Sequence, residues 1–218
     1  RFSKEFANVF SSRHRVSDAK IPRARYRYRR RLGNRRASIQ SDPVSRAVKM
    51  NNSITALVRV DSGEHIGTGH VMRCLTLAKL LRARGISIYF ISKPHKGHCL
   101  DEIRRADFKV IELPTSNAQE YAGNWCPHAH WLGGTESNDA RESLAALHHT
   151  TLNERVIVVV DHFSLTSQWH IALKEALNAK VVVIDGLADR TLKCDVLIDP
   201  NLVLDAQKKW DGKIQNKI

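Results

Sequence analysis

From residue 54 onward the apolar residues come in short unbroken runs, separated by stretches with helical spacing. That alternation builds βα units on a mostly parallel sheet. Ile54–Val60 reads as the first strand and residues 61–69 as a polar, glycine-containing loop. Val71, Cys74, Leu75, Ala78 and Leu81 then share one helical face, and Gly85 stops that helix with Arg82 and Arg84 in its last turn. Residues 86–91 give the second strand, 100–106 a short helix and 108–113 the third strand. Residues 114–137 have no regular pattern, and an internal loop of that length is more often functional than filler. Asn138 is placed to cap a helix running to about residue 149. The β-branched run 156–160 has the composition of a strand buried on both faces and therefore central. A helix over 167–177 leads to strands at 180–184 and 196–198. Six strands with crossover helices make one Rossmann-like α/β layer, after which residues 208–218 are polar and show no domain finish.

Composition changes this picture in one respect. The chain has 218 residues, 42% of them hydrophobic, which suffices for one α/β domain with a core. Its formal charge of +13 is unevenly distributed: residues 1–49 hold 15 Lys+Arg against 3 acidic residues, and the remainder holds 20 against 19. The basic run from Arg23 to Arg31, with Tyr26 and Tyr28 interleaved, has the chemistry to contact phosphates and stack on bases. Against that nucleic-acid reading, residues 1–49 lack regularly spaced aliphatic residues and are expected to be disordered. Met50 directly precedes the first strand, so upstream sequence outside the native domain is the plainer reading. The expected division is therefore a basic extension at 1–49, a domain at 50–202, and the start of a linker at 203–218. No run approaches the roughly 18–20 apolar residues that cross a bilayer, and the N-terminus lacks the apolar core of a secretion signal. Cys74, Cys99, Cys126 and Cys194 are scattered without a CxxC pair, so no membrane association and a cytoplasmic location are expected.

In an open parallel sheet ligands bind beyond the carboxyl ends of the strands. The first strand delivers Arg59, Asp61 and the loop containing Gly67, Gly69 and His70, with Arg73 one turn into the helix; later strands deliver Asp161, His162, Asp185, Asp199 and Asn201. Met72 stands where a dinucleotide fingerprint needs its third glycine, and no Gly-Lys-Ser/Thr follows, so nicotinamide, flavin and P-loop sites are not expected. The two glycines still allow backbone amides at a helix start to approach an anion. A helix N-terminus disfavours the imidazolium, so His70 is expected to be neutral near pH 7 and suited to general-base work. A solvated or structural histidine is the bland alternative, as helix capping is for Asp161 and His162. Cys126, His128, His130, His98 and Cys99 do not form the paired clusters of a structural zinc site, and no metal is expected. Trp125 and Trp131 either stack on a sugar or pin the loop.

The segments Arg59-Val-Asp-Ser, Ile66-Gly-Thr-Gly-His-Val-Met-Arg-Cys-Leu75, Trp131-Leu-Gly, Asp139-Ala140, Val159-Val-Asp-His162, Val183-Ile-Asp185, Leu187-Ala-Asp-Arg190, Cys194-Asp195 and Asp199-Pro-Asn-Leu202 occur in matching order. Together they resemble the UDP-2,4-diacetamido-2,4,6-trideoxy-β-L-altropyranose hydrolase family of pseudaminic acid biosynthesis, whose relatives include spore-coat polysaccharide proteins. The resemblance runs from Ile54 to about Leu202. It implies the sugar-facing N-terminal half of a two-domain, GT-B-like glycosyltransferase fold, with a nucleotide-binding second half beyond this chain. It also implies metal- and cofactor-independent, inverting hydrolysis of a UDP-sugar to free sugar and UDP, with His70 matching the assigned base. Arg59, Asp61, Gly67, Gly69, Arg73, Asp161, His162 and Asn201 are the expected substrate-binding residues. The chain departs from the family at Phe163, where tyrosine is usual, at Gly186, where an acidic residue is often found, and at Pro200, commonly glutamine. A related glycosyltransferase and a basic-arm nucleic-acid-binding module are the alternative functions.

Overall fold

The computed structural model describes residues 54–115 and 124–215. The basic run, the expected extension at 1–49 and residues 116–123 of the long loop lie outside the described residues.

Six parallel strands form one sheet: β1 (Ile54–Val60), β2 (Ser87–Ser92), β3 (Lys109–Glu112), β4 (Arg155–Asp161), β5 (Lys180–Ile184) and β6 (Val196–Ile198), in the order β3-β2-β1-β4-β5-β6. This is the doubly wound, Rossmann-like arrangement, and its strand order reverses between β1 and β4. The β-branched run places β4 in the centre as expected, because only a strand covered on both faces can bury so many apolar side chains. β1 and β4 run in register from Ile54 opposite Arg155 to Val60 opposite Asp161, so their polar C-terminal ends emerge together.

The helices are α1 (Gly69–Arg82), α2 (Leu100–Arg105), α3 (Glu136–Ala146), α4 (Ser167–Ala176) and α5 (Ala206–Trp210), with a 3₁₀ turn at Ala129–Leu132. α1 buries Val71, Cys74, Leu75, Ala78 and Leu81 as their spacing predicts. It ends where Gly85 takes a left-handed φ of 79° and the Ile86 amide returns to the Leu81 carbonyl. One expectation is corrected. Thr135, not Asn138, caps α3: its hydroxyl accepts the Asn138 N–H at 3.2 Å, while the Asn138 side chain turns to Glu142 and Arg141. Residues 203–215, expected as the start of a linker, carry the short α5. Trp210 on α5 is 8% exposed, its indole donates to Asp199 at 3.1 Å, and the Leu192 and Gln215 amides bond back across the chain.

His170 on α4 gives the fold an acid sensitivity. It is fully buried, its Nδ1 accepts the Lys193 N–H at 3.3 Å, and its Nε2 has no partner. Burial, with the Arg190 charge adding to it, pushes the imidazole down to about 3 from an ordinary 6.5. Between those values the unfolded chain binds a proton that the native chain refuses, so stability falls as pH drops, by about 1.4 kcal/mol per pH unit from this one group. In urea unfolding at pH 7 and pH 5, His170→Gln is expected to flatten the pH dependence by about that slope; equal dependence in both proteins would refute the assignment.

Candidate functional site

β1 carries an arginine inside a largely apolar strand, and a buried guanidinium is tolerated only with matched counter-charge. Arg59 is fully buried between two carboxylates. Its Nε and Nη2 donate to Asp139 of α3 at 3.1 and 2.7 Å, and its Nη1 and Nη2 donate to Asp61 at 2.5 and 2.9 Å. Asp61 also accepts the Ser92 hydroxyl at 3.2 Å, the Lys93 N–H at 2.8 Å, and the Nε2 of His95 and of His162 at 3.2 and 2.9 Å. Asp139 accepts the Trp169 indole at 2.9 Å and lies 3.2 Å from the buried Lys93 ammonium. Burial is the largest influence and raises both carboxyls, but it is outweighed by the partners together: Arg59 with the His162 and His95 contacts holds Asp61 well below the ordinary carboxylate range, and Arg59 with Lys93 holds Asp139 below it.

These contacts set three of the expected substrate-binding residues apart from the others. Arg59 and Asp61 are 0% exposed and engaged with each other. His162 is 3% exposed and uses both nitrogens, with Nδ1 accepting the Ser164 N–H at 3.2 Å and Nε2–H donating to Asp61. Burial holds its imidazole below the ordinary value despite the Asp61 contact, which keeps it neutral. All three belong to the frame beneath the rim. The sequence signal that separates them from rim groups lies in Asp139, 80 residues from Arg59.

His70, the second residue of α1, is placed differently. Its Nδ1 lies 2.6 Å from Asp161 Oδ1 at the end of β4. A carboxylate oxygen only accepts, so Nδ1 carries the hydrogen and the Nε2 lone pair is left without a hydrogen-bond partner among the described residues. Arg73, one turn along α1, grips the same carboxylate through Nε to Oδ2 and Nη2 to Oδ1, the latter at 2.5 Å, and its Nη2 is 2.9 Å from His70 Nδ1. The Cys74 thiol donates to Asp161 at 3.6 Å, and burial followed by Asp161 pushes that thiol well up, so it is no nucleophile. His70, Arg73 and Asp161 are thus brought together as the sequence placed them.

Aromatic rings enclose one side of His70. Phe163 meets it edge-on at 4.6 Å between centroids, Trp131 at 6.1 Å, and Phe163 stacks on Trp131 at 6.0 Å. The His70 residue retains 6% exposure. Of the two tryptophans, Trp125 is pinned by its indole to the Ser164 carbonyl at 2.8 Å, whereas Trp131 is part-exposed beside His70. Gly67 adopts a φ of 78°, which permits the turn in which its amide returns to the Gly63 carbonyl. Gly67 and Gly69 are exposed and open α1, whose first turn has no acidic residue.

Asn201 lies elsewhere on the rim. It follows β6, two strands beyond β4 and so on the order of 10 Å across the sheet from it. Its side chain donates to the Gly186 carbonyl at 3.2 Å. A Cβ on residue 186 would lie 2.2 Å from the Asn201 amide nitrogen, so a larger residue there requires the Asn201 side chain to move. Two neighbours escaped the sequence reading. Arg190 pairs with Asp185 at 2.6 Å and sits 5.6 Å from the Phe163 ring centre. His95, held by Asp61, lines a cleft of about 190 Å³ with His65, Lys96, His130 and Trp131. Among the described residues no group of three or more His, Cys, Asp or Glu side chains is arranged to hold a metal, and no helix is long and apolar enough to cross a membrane.

No protein-family profile and no curated protein matches the chain. Among solved structures it is similar to LpCGTa in complex with UDP, at 18% identity and a TM-score of 0.39, over 62% of this chain and 32% of that one. The chain therefore spans about a third of that protein's length. A likeness this loose bears on neither site nor ligand, and the α/β assignment rests on the sheet itself.

The buried ion cluster has a measurable consequence. Asp139→Ala leaves Arg59 and Lys93 short of a carboxylate in a dry environment and is expected to cost about 3–5 kcal/mol of stability in urea unfolding. A loss below about 1 kcal/mol, the range of an exposed pair, would contradict the cluster's role.

Proposed function

We propose that this chain is the sugar-facing lobe of a hydrolase that cleaves a UDP-linked 2,4-diacetamido-2,4,6-trideoxy sugar to free sugar and UDP, with His70 as general base. The observation that carries the reading is the His70–Asp161 pair: a carboxylate fixes Nδ1–H, and Nε2 is left as a proton acceptor at the mouth of the first βα turn. The ordered sequence segments shared with the pseudaminic acid hydrolase family supply the substrate class. In this reading His70 Nε2 takes a proton from water as the water oxygen bonds to the anomeric carbon. The bond from that carbon to the diphosphate oxygen breaks, and its electron pair leaves with UDP. The Gly69 amide, at the positive end of α1, favours the charge that develops on the diphosphate, while the Gly67 amide is spent on the Gly63 carbonyl and shapes the turn. Arg59, Asp61 and His162 act as the frame that holds the strand ends, not as ligand contacts.

A second reading keeps the base and changes the acceptor. The cleft against Trp131 favours it, because a ring-bearing hydroxyl acceptor would find a stacking face and imidazole partners there. Product analysis separates the two: hydrolysis gives free sugar plus UDP, transfer gives a glycoside plus UDP.

His70→Ala is expected to lower kcat for UDP release from the UDP-linked sugar on the order of 10²–10⁴-fold with the far-ultraviolet circular dichroism unchanged. Asp161→Asn is expected to reduce the rate as well by loosening the ring. Normal turnover in His70→Ala would remove the base assignment.

A further inference from the structure

We infer that Arg73 is a positioning residue that acts on His70 through their shared carboxylate, rather than a cation reserved for substrate. The inference deepens the reading of His70 as a base and rests on it only for its catalytic meaning.

Three groups compete for one carboxylate. Asp161 is fully buried, and its oxygens receive Arg73 Nε, Arg73 Nη2, His70 Nδ1–H and the Cys74 thiol. Arg73 uses Nε and Nη2 in a two-pronged grip, a geometry open to a guanidinium and closed to an ammonium. The same Nη2 stands 2.9 Å from His70 Nδ1. Because Nδ1 already carries its hydrogen, that second contact adds no bond; it sets a fixed positive charge against the ring.

The charge arithmetic gives the direction. With Arg73 in place the guanidinium neutralises Asp161, and protonating His70 puts a second positive charge beside the first. Without Arg73, the imidazolium and Asp161 would form a neutral pair, and the proton would be held more tightly. Arg73 thus keeps the carboxylate available for orienting Nδ1–H while limiting how strongly it stabilises the imidazolium.

The other groups around His70 do not replace this function. Phe163 and Trp131 present uncharged rings. Across Phe163, Arg190 is paired with Asp185 and Asp189; His128 meets both the Trp131 and Phe163 rings and His130 the Trp131 ring, neither touching the His70–Asp161 pair directly. The α1 contact is therefore the one charge in direct contact with both members of the pair among the described residues. About one third of the Arg73 side chain is exposed. A purely ligand-binding role for that exposed part predicts a different result from the one expected below.

The test follows the His70 ring by ¹⁵N-detected NMR titration of the chain itself, without substrate. In Arg73→Gln the midpoint of the His70 titration is expected to move up by about one pH unit or more, the range for a neighbouring charge at this distance. Arg73→Lys, which keeps the charge without the grip, is expected to move it less. Arg73→Met gives the same comparison if the glutamine variant does not fold. A midpoint unmoved in the folded uncharged variant overturns the inference, whatever the effect on KM. In the active protein, the acid limb of the pH–rate profile should shift with the NMR midpoint. Failure of UDP-sugar turnover in a protein that carries both lobes would count against the proposed function and leave the NMR result to judge Arg73 independently.

Discussion

A positive charge buried at the end of β1 must be neutralised where it stands, and much of the rim is arranged around that requirement. Arg59 has no exposure and meets two carboxylates from different parts of the chain, Asp61 and Asp139. Asp139 belongs to α3, so the ion cluster ties that helix to the central strand. Asp61 accepts from residues after β2 and after β4, so the loops on both sides of β1 close onto one carboxylate. Such clusters are weak sources of net stability, because desolvating the ions costs about as much as pairing returns. Their consequence here is geometric: the loop beginning at His162 cannot rotate without breaking a buried bond, and Asp161 and Phe163 flank that residue.

Two imidazoles, His70 on the rim and His162 beneath it, differ in how far their hydrogen bonding is completed. Both are held by a carboxylate within 3 Å, His70 by Asp161 and His162 by Asp61. The difference is the remaining nitrogen. In His162 it accepts a backbone amide, which completes the ring's hydrogen bonding and removes it from chemistry. In His70 it has no hydrogen-bond partner among the described residues, and this is the group with a lone pair left to give.

Strands and the first helix were legible in the sequence because their signals are local. β-branched runs, a helical face and a stopping glycine each act within a few residues, and all six strands fell where those signals placed them. The joining of His70, Arg73 and Asp161 was legible in outline, because strand C-termini in a parallel sheet converge. What the sequence did not disclose depended on distant partners. Arg59, Asp61 and His162 looked like rim groups until Asp139 and Ser164 took up their bonds. α5 was invisible because its short, polar segment is held by contacts of Lys209 and Trp210 with Asp199, not by helical periodicity. Thr135 prevailed over Asn138 as a cap once the Asn138 side chain had found Glu142.

Phe163 connects the frame to the chemistry. Its ring stacks on Trp131 and meets His70 edge-on, so water is displaced from that side of the imidazole and the Asp161 contact operates in a less polar setting. Arg73 and Arg190 approach the same ring, at 5.9 and 5.6 Å from its centre, and a phenyl face tolerates both cations without accepting a hydrogen bond from either. A tyrosine at this position would add a hydroxyl able to hold water or ligand. With phenylalanine the wall is apolar throughout. Under the proposed function, Phe163 preserves the shape and dryness around the base while removing one means of ordering the nucleophile, a change that would bear on rate more than on the identity of the base.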